Sequence, residues 1–204
     1  MKRFWGMVIL ILAGLIAGTG AMAQQGAPAA QKPAPTITSM LQTQLTIVET
    51  EMVGAVNAMP EDKYSFAPTN GNFIGVRTFS QEAKHVATIN NLFFGSLLGE
   101  PTPPGINEGT NGPDDIQTKA QIIQYLKDSF AHGHKAIATI NGDNAFTVLD
   151  HPVLSFLNTR AGVASFAAVH AMDHYGQMVE YLRDNGVVPP ASANQPPANP
   201  PAKK

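Results

Sequence analysis

The chain has 204 residues, 44% of them apolar, with no cysteine and a formal charge of −2. The missing cysteine excludes disulfides, thiol catalysis, thiolate metal ligands and lipid attachment at a cleavage-site cysteine. The mild negative charge, with no basic stripe and only Lys203 and Lys204 as a basic end, argues against a nucleic-acid partner.

Met1-Lys2-Arg3 opens the chain with positive charge, Phe4 to Ala17 is apolar or glycine, and Ala21-Met22-Ala23 supplies a small-x-small pattern before Gln24. This is the layout of a secretory signal peptide over residues 1–23, its apolar run too short for a comfortable membrane span. An uncleaved N-terminal anchor is the alternative. Cleavage after Ala23 takes the 13 basic residues to 11 against 15 acidic ones, a charge of about −4. The expected location is therefore the periplasm or the exterior, with no membrane association once the segment is removed. Residues 24–35, rich in Ala, Pro and Gln, read as a flexible leader. Without disulfides the remainder must rely on an apolar core, which roughly 150 structured residues can supply.

Four stretches then carry helical periodicity. Leu41, Leu45, Val48, Met52, Ala55 and Met59 form one apolar stripe, closed by Pro60. A second helix begins near Thr78, where Thr78 and Gln81 have the spacing of a capping box. Its inward face carries His85, Val86, Ile89, Leu92 and Phe93, and Gly99 with Pro101 ends it. A third runs from about Thr118 to Asn141-Gly142, lined by Ile122, Leu126, Phe130, Ile137 and Ile140. A fourth starts at Leu154 or Arg160 and runs to Asp184, stopped by Asn185-Gly186. No stretch alternates as a strand, so the expected fold is an all-α four-helix bundle over residues 36–188. Its connections at Glu61–Arg77 and Pro101–Asp115 are long for an up-down bundle, and connections of that length often cover a site. Residues 189–204 hold repeated prolines without apolar periodicity and read as a disordered or polyproline-like tail, more simply a spacer than a partner-binding module.

The chemistry concentrates on the fourth helix, whose inward set is Val163, Phe166, Ala167, His170, His174, Gln177 and Tyr181. Two histidines four apart stack on one helical face, so two imidazoles can reach one ion. His85, on the inward face of the second helix, offers a third nitrogen. Three histidines with a fourth position left to water form an open metal site. The alternative is that the pair hydrogen-bonds within the core. Ala171 follows the first histidine where a His-Glu-x-x-His metalloprotease needs its glutamate, which excludes that chemistry. Glu82 lies one turn before His85, and Asp173 and Glu180 fall on a flank or in solvent; none is assigned as general base. His132 and His134, two apart, cannot share a face and belong to solvent or the bundle flank. His151, before Pro152, reads as a turn residue. Tyr175 is a ligand-orienting residue or a helix contact, Gln177 a candidate to orient ligands, and Gly176 permits close packing.

The segment from His170-Ala-Met-Asp-His-Tyr-Gly-Gln to Val-Val-Pro-Pro190, together with Ala58-Met-Pro-Glu-Asp-Lys-Tyr64 and Arg77-Thr-Phe-Ser-Gln-Glu-Ala-Lys-His85, strongly resembles DinB-like (damage-inducible) proteins. The similarity covers about residues 36–190 and concerns a family distinct from the translesion polymerase of the same name. It implies an antiparallel-type four-helix bundle with the connectivity of bacterial thiol-dependent transferases and maleylpyruvate isomerases. It also implies a divalent metal (zinc, nickel or iron) on His85, His170 and His174, and a homodimer. Relatives that use low-molecular-weight thiols are cytosolic, whereas this chain carries an export-type segment. The functional expectation is a metal-dependent transferase or hydrolase acting on a small molecule. The alternative is a non-catalytic metal-binding or structural bundle.

Overall fold

The structure, a computed structural model, describes residues 33–103, 106 and 110–195. The expected signal peptide, most of the leader and the end of the proline-rich tail lie outside the described residues. Four helices form the core: α1 (Ile37–Ala58), α2 (Phe79–Leu98), α3 (Lys119–Ile137) and α4 (Arg160–Asp184). Among the described residues the only extended pairings are two isolated bridges, Val148 with Thr159 and Leu154 with Leu157. No helix there is long and apolar enough to cross a membrane.

The helix starts are written in local sequence. Thr36, Thr78 and Thr118 each cap a helix by accepting from the third residue's N–H, while Ser39, Gln81 and Gln121 accept in return from the cap's N–H. These reciprocal bonds satisfy backbone donors that have no intrahelical partner. Thr159 caps α4 through Gly162, so of the two expected starts Arg160 is the one used. The apolar stripe of α1 is buried in full. α3 stops at Ile137, four residues before the expected Asn141-Gly142 end. Periodicity misled there because Ile140, beyond the helix in a turn, is also buried and so continues the stripe.

Side-chain contacts give the helix directions. Lys119 at the start of α3 donates to Asn57 and Met59 carbonyls at the end of α1, and Gln42 near the start of α1 donates to the His134 carbonyl. α1 and α3 are therefore antiparallel. Thr88 meets Tyr125 and Asn90 meets Ser129, so α2 and α3 run parallel. α4 is antiparallel to α2, with Arg160 on Leu97 at one end and Tyr181 on Arg77 at the other. α1 and α2 each pack against α3 and α4. The order is up, down, down, up, which explains the long connections. A parallel α2–α3 pair forces the chain between them to travel back along the bundle, and the other two connections cross to a diagonal helix.

That returning connection presses on α2. Gly112 has φ +80°, and a Cβ there would stand 2.6 Å from the Lys84 Cβ; Lys84 Nζ donates to the Pro113 carbonyl at 2.8 Å. With α3, α4 and this loop around it, α2 is buried at every position from Glu82 to Asn90. The fold also extends past the expected boundary at 188. Pro190–Ser192 forms a 3₁₀ turn, and Pro190 covers Gly54 of α1, close enough to contact an added Cβ at 3.7 Å.

Gly133 marks where α1, α2 and α3 converge, since a Cβ would meet the Phe94 ring at 2.6 Å and Leu45 Cδ2 at 2.8 Å. Both neighbours are fully buried. Gly133→Ala is expected to lower unfolding free energy by about 1–3 kcal/mol through overpacking, read as a reduced denaturant midpoint. An unchanged midpoint would show that this contact is loose.

Candidate metal centre

α2 presents Glu82 and His85 on one face, and α4 presents His170 and His174 on the face opposite. Because the two helices are antiparallel, the pairs lie at the same level. The three histidines each offer a nitrogen, and the three atoms lie within 4.8 Å of one another. Ring centroids are 4.6 Å apart for His85–His174 and for His170–His174, and 5.1 Å for His85–His170. The structure thus brings the three sequence-selected residues together.

Hydrogen bonding decides which nitrogens face the centre. His85 Nδ1 is 2.7 Å from the Thr110 carbonyl, which only accepts, so Nδ1 carries the proton and Nε2 a lone pair. His174 Nδ1 donates to Glu82 Oε2 at 2.5 Å, which leaves its Nε2 in the same state. These are the outer partners that metal-ligating histidines use to fix tautomer and ring orientation. His170 Nε2 lies 3.2 Å from His85 Nε2, while its buried Nδ1 has no partner among the described residues.

The alternative of a self-sufficient hydrogen-bonded core fails at that ring. If His170 donates from Nε2, its Nδ1 lone pair is buried and unmet; if the proton moves to Nδ1, two Nε2 lone pairs oppose each other. A cation between the lone pairs removes that repulsion. The 3.2 Å separation also suits it, because tetrahedral zinc with Zn–N bonds of about 2.0–2.1 Å sets its nitrogens about 3.3 Å apart. The donor set therefore fits a divalent ion.

Burial keeps the His85 and His170 rings neutral. Desolvation, with the Arg77 and His174 charges opposing protonation, holds His85 down at about 4 against the Thr110 carbonyl and Glu82, which act the other way. Burial first, then the charges of His174, His85 and Arg77, lower His170 to about 3. Neutral imidazole is the ligating form.

Glu82 is the functional residue that sequence reading left without a role. Its three-residue offset from His85 was the available signal, since it places both on one helical face. It is almost wholly buried, 2% exposed, which its contact with His174 explains. Thr110 contributes only a backbone carbonyl, which no sequence pattern announces. A cleft of about 530 Å³, lined by Gly75, Val76, Arg77, Gln81, Glu82, Thr110, Asn111 and Gln177, borders the outer partners Glu82 and Thr110, while the three rings lie behind that lining. Both long connections contribute to it, as expected of a roof.

The remaining candidates separate from the centre. Asp173 and Glu180 are exposed. Gln177 is also exposed and donates to Asp173 at 3.2 Å rather than facing the rings, although it lines the cleft beside Glu82. Tyr175 is buried in the helix packing. His132 bonds to Asn91 and Glu100, and His134 to Gln42 and Glu49, so the two point to opposite neighbours. His151 is exposed beside a second cavity of about 720 Å³ near Leu97, Glu100 and Arg160, away from the triad.

The family model of the DinB superfamily matches residues 44–178. Among solved structures, the crystal structure of an uncharacterised protein from Escherichia coli UTI89 superposes with a TM-score of 0.57 at 13% identity, covering 76% of this chain and 97% of that one. That likeness speaks to the fold alone. No curated protein matches the chain.

The pH dependence has a definite sign. His85 and His170, at about 4 and about 3 when folded, titrate near the ordinary 6.5 when unfolded. The unfolded chain takes up these protons first, so the metal-free protein is most stable above 6.5 and loses stability as pH falls toward 4. The thermal midpoint of metal-free protein should therefore drop over that window. It should drop less in His85→Gln/His170→Gln, and equal profiles would contradict the assignment.

Proposed function

The chain belongs to the DinB superfamily, and on that premise we propose that it is an exported protein whose bundle holds a divalent metal on His85, His170 and His174. Its reaction is a metal-dependent transfer or hydrolysis on a small molecule entering the Arg77–Glu82 cleft. The observation that carries this reading is the convergence of three imidazole nitrogens, two of them oriented by outer partners. A divalent ion held there supplies Lewis acidity, or lowers the pKa of a bound water or thiol.

The chain's own residues have separable parts in this reading. His85, His170 and His174 present neutral donors. Thr110 and Glu82 hold two of the rings in register. Glu82 also keeps a carboxylate at the edge of the cleft, while the packing of α2 against α4 excludes water from the far side. A second reading, in which the ion only braces the bundle, draws support from the burial of His85 and His174, 6% and 8% exposed. Zinc, nickel and iron all suit the donor set, and iron and nickel commonly accept more ligands than the three histidines supply.

His170→Ala and His174→Ala are each expected to lose most bound metal while helical content survives. Glu82→Gln is expected to weaken metal affinity about 10–100-fold, the usual loss when such an outer carboxylate is removed. Elemental analysis and circular dichroism of the purified variants check this, and wild-type metal content in both histidine variants refutes the centre. On cobalt-loaded protein, a visible spectrum shifted by azide supports an accessible catalytic site, and an inert spectrum supports the bracing role. For export, N-terminal sequencing of protein recovered outside the cytoplasm should begin at Gln24; an intact Met1 end there would point to a retained anchor.

A further inference from the structure

Arg77 stands at the same cleft and is bound to the same residue as the triad. Thr110 accepts from His85 Nδ1 through its carbonyl at 2.7 Å and from Arg77 Nη2 through its hydroxyl at 3.0 Å. Arg77 Nε donates to Asn111 Oδ1 at 2.8 Å. The backbone beneath it is fixed too, since Tyr181 donates its hydroxyl proton to the Arg77 carbonyl at 3.1 Å and Thr78 begins α2. The guanidinium is thus held by two neutral acceptors. It has no carboxylate partner among the described residues, and its remaining N–H groups have no acceptor there.

Arg160 is also held by two neutral acceptors, the Leu97 carbonyl and the Thr139 hydroxyl; what sets Arg77 apart is its place beside Glu82 and Thr110, the outer partners of His174 and His85. A half-buried guanidinium that only braces a loop would gain more from a carboxylate than from a hydroxyl and an amide. Glu82 lines the same cleft, but its Oε2 is committed to His174. With a divalent ion on three neutral imidazoles, formal charges of about +2 from the ion, +1 from Arg77 and −1 from Glu82 leave the cleft positive. A planar fork with free donors beside such a centre matches carboxylate geometry.

We infer that the cleft takes a small carboxylate-bearing molecule whose carboxylate is held by Arg77 while its donor atom reaches the metal position. The inference rests on the proposed metal centre and adds the substrate class. Glu82 and Thr110, which touch the His174 and His85 rings, form part of the same lining as Arg77, and about 530 Å³ accommodates a molecule of a few carbon atoms beyond the anchored group. Arg77 acts as a specificity-determining residue and supplies no donor atom to the metal.

The test uses the full chain loaded with cobalt and two probes that differ only at the distal group, 3-mercaptopropionate and 3-mercaptopropionamide. Cobalt stoichiometry is measured first. Sulfur binding is then followed by its charge-transfer absorption, which reads affinity without any assumed activity. Wild type is expected to favour the acid over the amide by about tenfold, the worth of a charge-assisted bond. Arg77→Gln should abolish that preference, read as the acid-to-amide affinity ratio per bound cobalt, and Arg77→Lys should retain part of it. Raising salt on wild-type protein should erode the preference as well, a readout that stands even if Arg77→Gln does not fold. Failure to take up cobalt overturns the metal centre and this inference together. Full cobalt uptake with no acid preference, with a preference that survives Arg77→Gln, or with one insensitive to salt overturns the inference alone.

Discussion

Three imidazoles inside an apolar helix interface set the terms for everything around them. A neutral ring has one donor and one acceptor, and burying either without a partner costs more than an average hydrogen bond returns. α2 and α4 resolve part of this from within, by placing Glu82 against His174. A loop resolves another part, by laying the Thr110 carbonyl on His85. What is left over is a set of lone pairs directed at a common point, together with one unmet nitrogen on His170. The converging lone pairs are where a cation gains binding energy, because satisfied groups have little to offer; the His170 Nδ1 lies on the other side of its ring from that point.

The topology and the site are linked through direction. Had α2 and α3 been antiparallel neighbours, a turn of a few residues would have joined them. Because they are parallel, the chain returns along the length of α2, and it is this return that carries Thr110 to His85 and Asn111 to Arg77. Gly112, with its positive φ and no room for a Cβ, lets the strap lie directly on Lys84. The connection therefore shapes the mouth of the cleft and orients a ring within it. The up, down, down, up order also gathers the end of α1 and the starts of α2 and α3 at one end, near the end of α4. The entry segment of α2, with Arg77, joins the cleft from there.

The chain spends its other histidines differently. His132 bonds to Asn91 and Glu100, and His134 joins α1 to α3 through Gln42 and Glu49. Each is satisfied by two partners and faces away from the centre. The contrast with His170 is informative, because residue type is the same and only the completeness of partnership differs. The fold likewise uses Arg160 and Arg77 differently. Both are held by neutral acceptors, Arg160 by the Leu97 carbonyl and Thr139 at the start of α4 and Arg77 by Thr110 and Asn111, but Arg77 stands beside Glu82 and Thr110, the outer partners of the triad.

Local rules carried the sequence reading a long way. Capping pairs at Thr78–Gln81 and Thr118–Gln121 are short-range hydrogen-bond patterns, and the stripe from Leu41 to Met59 is a matter of helical period, so both were legible from the chain itself. So were the four-residue spacing of His170 and His174 and the inward position of His85. The end of α3 was not, because burial of Ile140 repeats the helical period without a helix. Nor was the role of Glu82, which depends on the rotation of α4 against α2, or the inward expectation for Gln177, which the same rotation turns to solvent. Thr110 contributes a backbone atom that every residue type possesses, and Arg77 matters through its place beside the outer partners of the triad, with no carboxylate partner among the described residues. Sequence by itself determined which segments become helices and which faces turn inward, because those are set by neighbours within a few residues. Only the tertiary structure decided how the faces meet, since the distances that make a site are fixed by packing between residues 25 to 92 positions apart.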